Sequence, residues 1–150
     1  MRNKEIYMDT VTGIFARVSM LKYPTAEEYT ARVRADVYKR LAQLNPQIIV
    51  AKADAAVITS KPIIEDIEAV CKTFSNLMDR GKGYIIDAVK AVYFPYKGKV
   101  KIPNEILKER TLAFAMQVPC DERTVYRWLK EARTICAFYR GLTIEEPEIL

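Results

Sequence analysis

Residues 120–133 read CDERTVYRWLKEAR, and the character of the whole chain turns on this segment. It carries Arg123, Arg127, Arg133 and Lys130 beside Tyr126 and the chain's single tryptophan, Trp128. Asp121 occupies a helix N-cap position, where its carboxylate can accept the N–H of a residue in the first turn. Cys120 before the cap and Val125 after it have the spacing of a hydrophobic staple, and Glu122 suits the positive end of the helix dipole. An apolar stripe runs on from Val125 through Leu129, Ala132, Ile135 or Cys136, and Tyr139. That leaves Glu122, Arg123, Tyr126, Arg127 and Lys130 on the other side. The spacing predicts a helix from Asp121 to about Gly141 with one apolar and one basic face.

The residues just before it fit a helix-turn-helix whose template begins at Thr111. The template asks for a small residue where the two helices touch, supplied by Ala115. It asks for bulky apolar residues that lock the second helix onto the first, supplied by Val118, Cys120, Val125 and Trp128. Its turn usually holds a glycine with positive φ; here Pro119 stands there, with φ fixed near about −65°, so the turn must take another shape. In such a unit the first turns of the second helix enter the major groove. Arginine's planar fork matches guanine O6 and N7 and Glu122 can accept from cytosine N4, each good pair contributing about 1–3 kcal/mol of discrimination. Tyr126 suits a thymine methyl or a phosphate. Lys97, Lys99, Lys101, Lys108 and Arg110 would add phosphate contacts that orient the head without reading sequence.

Taken whole, LAFAMQVPCDERTVYRWLKEAR (112–133) resembles the C-terminal helix-turn-helix of the ArpU/RinA-like phage transcriptional regulators. That module is in turn similar to the promoter-reading C-terminal domain (region four) of sigma factors. RTVYRWLKEAR and the closing FYRGL (138–142) carry most of the likeness, and IIDAVKAVYF (85–94) adds to it, so the resemblance covers about residues 84–142. It implies a DNA-binding protein that switches on late phage or prophage operons, with Arg123, Thr124, Tyr126, Arg127 and Lys130 on the DNA-facing helix. It also implies RNA polymerase as a second partner.

Bulk properties agree with a binding protein. The chain of 150 residues suits one domain, or a small domain with an appended module, and half of it is apolar. The richest apolar run, IIVAKADAAVI, is broken by Lys52 and Asp54 and is too short to cross a bilayer. MRNKEIYMD turns polar at once, without the apolar centre of a secretory leader, so a cytoplasmic location in a bacterial host and no membrane partner are expected. The three cysteines form no CxxC pair and read as small buried hydrophobes. Histidine is absent, which removes the commonest general base and the common zinc and triad chemistries. A protein that performs no reaction and uses no cofactor or metal is expected. Residues 1–79 carry 11 basic and 10 acidic side chains, whereas residues 80–140 carry 13 and 6. The excess of positive charge lies where a polyanion would bind.

Upstream, helical periodicity prevails and glycine is scarce, which predicts an all-α fold. A helix over 3–22 has Tyr7, Val11, Ile14, Phe15, Val18 and Leu21 on one stripe and ends at Pro24. Thr25 and Glu28 form a capping box for a helix burying Tyr29, Val33, Val37, Leu41 and Leu44, stopped by Asn45-Pro46. Residues 47–58, apolar nearly all round, suggest a buried helix, with a strand left open by period alone. Residues 61–80 put Ile64, Ile67, Val70, Cys71, Phe74, Leu77 and Met78 on one face, with Gly81 at C′. Residues 83–93 turn Ile85, Ala88, Val89, Val92 and Tyr93 inward. FPYKGKVKIP (94–103) excludes helix and reads as a basic loop or short hairpin, its lysines a phosphate clamp or a solvated tip. Tyr93, Phe94 and Tyr96 would cover the junction. Asn104 caps the next helix.

The expected organisation is therefore a helical bundle over 1–93, able to pair with a second copy, a basic connector over 94–103, a helix-turn-helix over 104–142 and an acidic tail over 143–150. The expected function is sequence-specific binding of double-stranded DNA in transcriptional control, as a monomer or homodimer. Two rivals remain open. A small-terminase-like DNA-packaging subunit would form a ring, and a protein-interaction module would bind an acidic protein and ignore duplex DNA. Trp128 reads as a core wedge, and Arg2, Arg32, Arg34, Lys39 and Arg40 as solvated helix faces.

Overall fold

The computed structural model describes residues 2–144, 146 and 147, and the side chains from residue 8 onward. Tyr7 and Arg2 as side chains, and Glu145 and Glu148 of the acidic tail, lie outside the described residues. Among the described residues there are seven helices and no strand: α1 (Arg2–Met20), α2 (Ala26–Arg40), α3 (Pro46–Thr59), α4 (Lys61–Asp79), α5 (Gly83–Val92), α6 (Asn104–Gln117) and α7 (Glu122–Arg140). The fold is all-α.

Local chemistry sets the helix ends. Thr25 Oγ1 accepts the Glu28 N–H at 3.1 Å, which is one of the two bonds of a capping box. Asn45 Oδ1 accepts the Gln47 N–H at 2.8 Å, and Pro46 opens α3, so the Asn-Pro pair that stops one helix also starts the next. Gly81 (φ 72°) and Gly141 (φ 81°) take the left-handed conformation that ends α4 and α7. Beyond them Lys82 N–H reaches Leu77 O at 2.8 Å and Leu142 N–H reaches Ala137 O at 2.9 Å. Asn104 does not cap α6: Pro103 is the N-cap, and Asn104 is already helical.

One continuous core joins α1, α4, α5, α6 and α7. Val11, Ile14, Phe15 and Val18 of α1 meet Ile67, Val70 and Leu77 of α4, the inner face of α5, and Val125, Leu129, Ala132 and Ile135 of α7. Phe15 stacks on Tyr93 with ring centroids 5.6 Å apart. α7 packs most extensively on α4, so the basic helix is rooted in the body of the protein. Residues 94–103 mark a change of local structure and not a break in the packing.

The α2–α3 hairpin packs on α4, with Tyr29 against the main core. Its own small core is Val37, Ile49 and Ala53, flanked by Leu41 and Ala56. The expectation of a buried α3 is overturned: Ile48 is 47 % exposed and Ile58 is 73 % exposed, because α2 covers one side only. Leu44 and Met78 are likewise exposed, contrary to the stripes read from sequence, and Phe94, expected to cover the junction, is exposed as well. Met78 lies at the end of α4, over Gly83, where an added Cβ would come within 3.2 Å of its sulfur.

A polar cluster absent from the sequence reading lies at the α1–α4–α7 junction. Asp66 is buried and accepts from Arg17 Nε at 3.2 Å and Arg140 Nε at 2.7 Å, while Arg140 also bonds Glu65 at 3.1 Å. The ion pairs orient the C-terminal turn of α7 on α4.

Candidate nucleic-acid interface

Asp121 adopts extended backbone and accepts the Arg123 N–H at 3.0 Å, launching α7 as its sequence requires. Val125, Leu129 and Ala132 are fully buried beneath it. Arg123, Tyr126, Arg127 and Lys130 all stand on the exposed side. Trp128 is half-buried and meets Tyr84 edge-on at 4.8 Å, tying α7 to α5. Thr124 is half-buried; its hydroxyl accepts from Arg127 Nη2 at 3.2 Å and steadies that guanidinium. Among the described residues neither Arg123 nor Lys130 is in an ion pair. Glu131, which would offset their charge, is turned aside to Arg80 and Lys82 at 3.2 and 3.1 Å.

The turn between α6 and α7 solves the Pro119 problem without a left-handed residue. None of residues 118–121 has positive φ. The Cys120 N–H reaches back past the proline to Ala115 O at 2.9 Å. Ala115 and Phe114 are buried at the helix contact, as is Val125. Val118, expected to lock the helices, is 38 % exposed, because it is the C-cap of α6 and its side chain has left the packed face. Cys120 is half-buried.

The connector 94–103 is a hairpin tip. Tyr96 N–H donates to Lys99 O at 3.2 Å and Lys99 N–H to Tyr96 O at 2.8 Å, with Lys97 (φ 46°) and Gly98 (φ 75°) both left-handed between them. Two positive φ values in a two-residue loop are the requirement of a type I′ turn. The Lys97 ammonium lies 5.3 Å from the Tyr96 ring centroid, and Lys99 is exposed. Buried Ile102 holds the segment down, and Val100 lies against Gly13 of α1.

The remaining basic residues have other places. Arg110 is not a free phosphate contact: its Nη1 donates to Val92 O, a carbonyl left open at the end of α5, at 3.1 Å and to Phe94 O just beyond the helix. Lys101 and Lys108 lie at the mouth of a cleft of about 340 Å³ between α1, α5, α6 and α7. The sequence reading left Arg133 without a role; it reaches the same cleft and donates to the Tyr93 hydroxyl at 2.6 Å. Burial pushes the Tyr93 phenol up, against the pull of Arg133. Tyr126 also borders the cleft, its hydroxyl interacting with Thr111 and Glu122, and its phenol is raised first by burial and then by the Glu122 carboxylate. No sequence pattern links Tyr93 to Arg133, since 40 residues separate them.

Among the described residues no group of three or more cysteine or carboxylate side chains could hold a metal ion, and no helix is long and apolar enough to cross a membrane. Comparison with protein families, with curated proteins and with solved structures returns no match.

Proposed function

We propose that the protein binds double-stranded DNA sequence-specifically as a transcriptional regulator, with α6 and α7 as its helix-turn-helix and α7 as the recognition helix. One observation carries the reading: the two faces of α7. Val125, Leu129 and Ala132 fix the helix to the body, Arg123, Arg127 and Lys130 project from it into solvent, and Tyr126 is exposed beside them with its hydroxyl turned to Thr111 and Glu122. A rooted rod with a cationic, donor-rich side suits the major groove, which admits one α-helix and presents acceptors at guanine. The exposed Lys97 and Lys99 of the hairpin tip support the reading as cations able to contact phosphate without reading sequence.

Late phage or prophage promoters as the target, and RNA polymerase as a second partner, follow from the resemblance of residues 84–142. A homodimer would double the site read, and the exposed stripe of Ile48, Ala51, Ala55 and Ile58 on α3 offers apolar surface for a second copy.

Selection of bound fragments from a random duplex library with the purified chain tests the function. An enriched motif that competes better than scrambled duplex is expected; uniform recovery at physiological salt would leave only an interaction module. Light scattering of the same sample separates a monomer or dimer from the ring of a packaging subunit.

A further inference from the structure

We propose that the cleft between α1, α5, α6 and α7 binds a small organic anion, a carboxylate carried on an aryl or short alkyl body. Its volume of about 340 Å³ lies within the range of small-molecule sites, about 300–1,000 Å³. Val92, Leu107 and Leu129 give it an apolar floor. Arg133 enters from α7, half-buried, and among the described residues it is in no ion pair. Lys101 and Lys108 add two more cations at the mouth, and Asp9 is the one carboxylate among the described lining residues.

The chemistry of the occupant follows from these groups. The buried Tyr93 hydroxyl takes one Arg133 nitrogen and holds the guanidinium in place, leaving its other donors for a ligand. A planar fork with no acidic partner among the described residues is matched by a carboxylate, which it can bind through two parallel hydrogen bonds. Because the guanidinium is already positioned, little side-chain freedom is lost on binding. A phosphate would meet the cations and leave the apolar floor against water; an amphiphilic carboxylate satisfies both. Tyr126 borders the cleft one residue from Arg127. An occupant would therefore touch the segment assigned to DNA, a consequence that rests on the DNA-binding reading, whereas binding itself does not.

The full-length protein titrated with 3-phenylpropionate and indole-3-acetate, followed by calorimetry and ligand-observed NMR, tests the proposal. Each acid is compared with its primary amide and with inorganic phosphate. Saturable binding of at least one carboxylate is expected, with the amide and phosphate at least about tenfold weaker. Arg133→Gln should weaken the carboxylate about tenfold, and Lys108→Ala, at the exposed mouth and outside the core, about threefold, since it is the more solvated of the two cations. Absence of saturable carboxylate binding, equal binding of the amide or phosphate, or unchanged affinity in both variants would overturn the site. Should Arg133→Gln not fold, Lys108→Ala decides alone. Duplex binding measured with and without the acid is a separate readout, so its failure counts against the DNA reading and leaves the cleft standing.

Discussion

Arg110 of α6 closes the end of α5 by donating to the main-chain carbonyl oxygen of Val92 at 3.1 Å. The same nitrogen also reaches the Phe94 carbonyl. The last carbonyls of a helix have no intrahelical partner, and a charged donor satisfies them more strongly than a neutral one. Arg110→Ala should therefore lower unfolding free energy by about 1–2 kcal/mol in urea titrations. The salt dependence of DNA binding should stay as in the parent. A flatter salt slope with unchanged stability would return Arg110 to the phosphate contacts.

Arg127 and Lys99 should fail in different ways. Arg127→Ala is expected to weaken the selected site by about 1–3 kcal/mol and to relax preference at one or two base pairs. Lys99→Ala should weaken all sequences alike and reduce the slope of log K against log salt by about one unit. Fluorescence anisotropy at several salt concentrations reads both. If both variants behave as the parent, the exposed side of α7 is not the interface.

Asp66 is buried and held by two guanidiniums, and removing one partner of such a pair costs more than at the surface. Arg17 and Arg140 keep some access to water, which limits the loss. Asp66→Ala should cost about 2–3 kcal/mol of stability. Arg40→Ala breaks the exposed pair with Asp36 and should stay within about 0.5 kcal/mol. Equal effects in chemical denaturation would remove any special role for the buried cluster.

The Cys136 thiol sits between α7 and Thr73 of α4, and burial pushes its pKa up from 9.0 to about 12. A value raised on folding favours the native state fully below the unfolded pKa, and the benefit is lost as pH climbs through the folded one. Stability should fall between pH 9.0 and about 12. Buried Tyr93, also raised, acts in the same direction. Cys136→Ala should flatten part of the decline in denaturation midpoints. A thiol reagent near neutral pH should modify Cys136 last of the three cysteines.

Lys22 ends α1 with φ 65°, the left-handed conformation in which a β-carbon is strained. Lys22 N–H donates to Ser19 O at 2.9 Å and Tyr23 N–H to Val18 O at 3.0 Å, so the conformation is built into the helix end. Lys22→Gly should raise thermal stability by about 0.5–1 kcal/mol, the relief of strain exceeding the added freedom of the unfolded chain. A loss of stability would mean the lysine is not strained there.

Much of the architecture was legible because it is local. The Thr25 and Asp121 caps, the Asn45-Pro46 stop, the glycines after α4 and α7, and the inward residues of α5 follow from groups a few positions apart. The exposed side of α7 was legible for the same reason, since periodicity assigns Arg123, Arg127 and Lys130 to one side of a helix. Val118 shows where that logic stops. A template places it in the contact, but α6 ends one residue earlier and its side chain turns to water.

By itself, then, the sequence determined where helices begin and end and which sides of α7 are apolar and basic, because capping and periodicity act within a turn or two. Only the tertiary structure decided which apolar surfaces are covered and which cations are already engaged. α3 reads as buried until one sees that α2 covers it from a single side. Arg110 and Lys99 look alike along the chain, yet packing brings an open carbonyl of α5 to one and leaves the other in solvent. Burial and partnership depend on groups distant in sequence, and no local pattern encodes the distance between them.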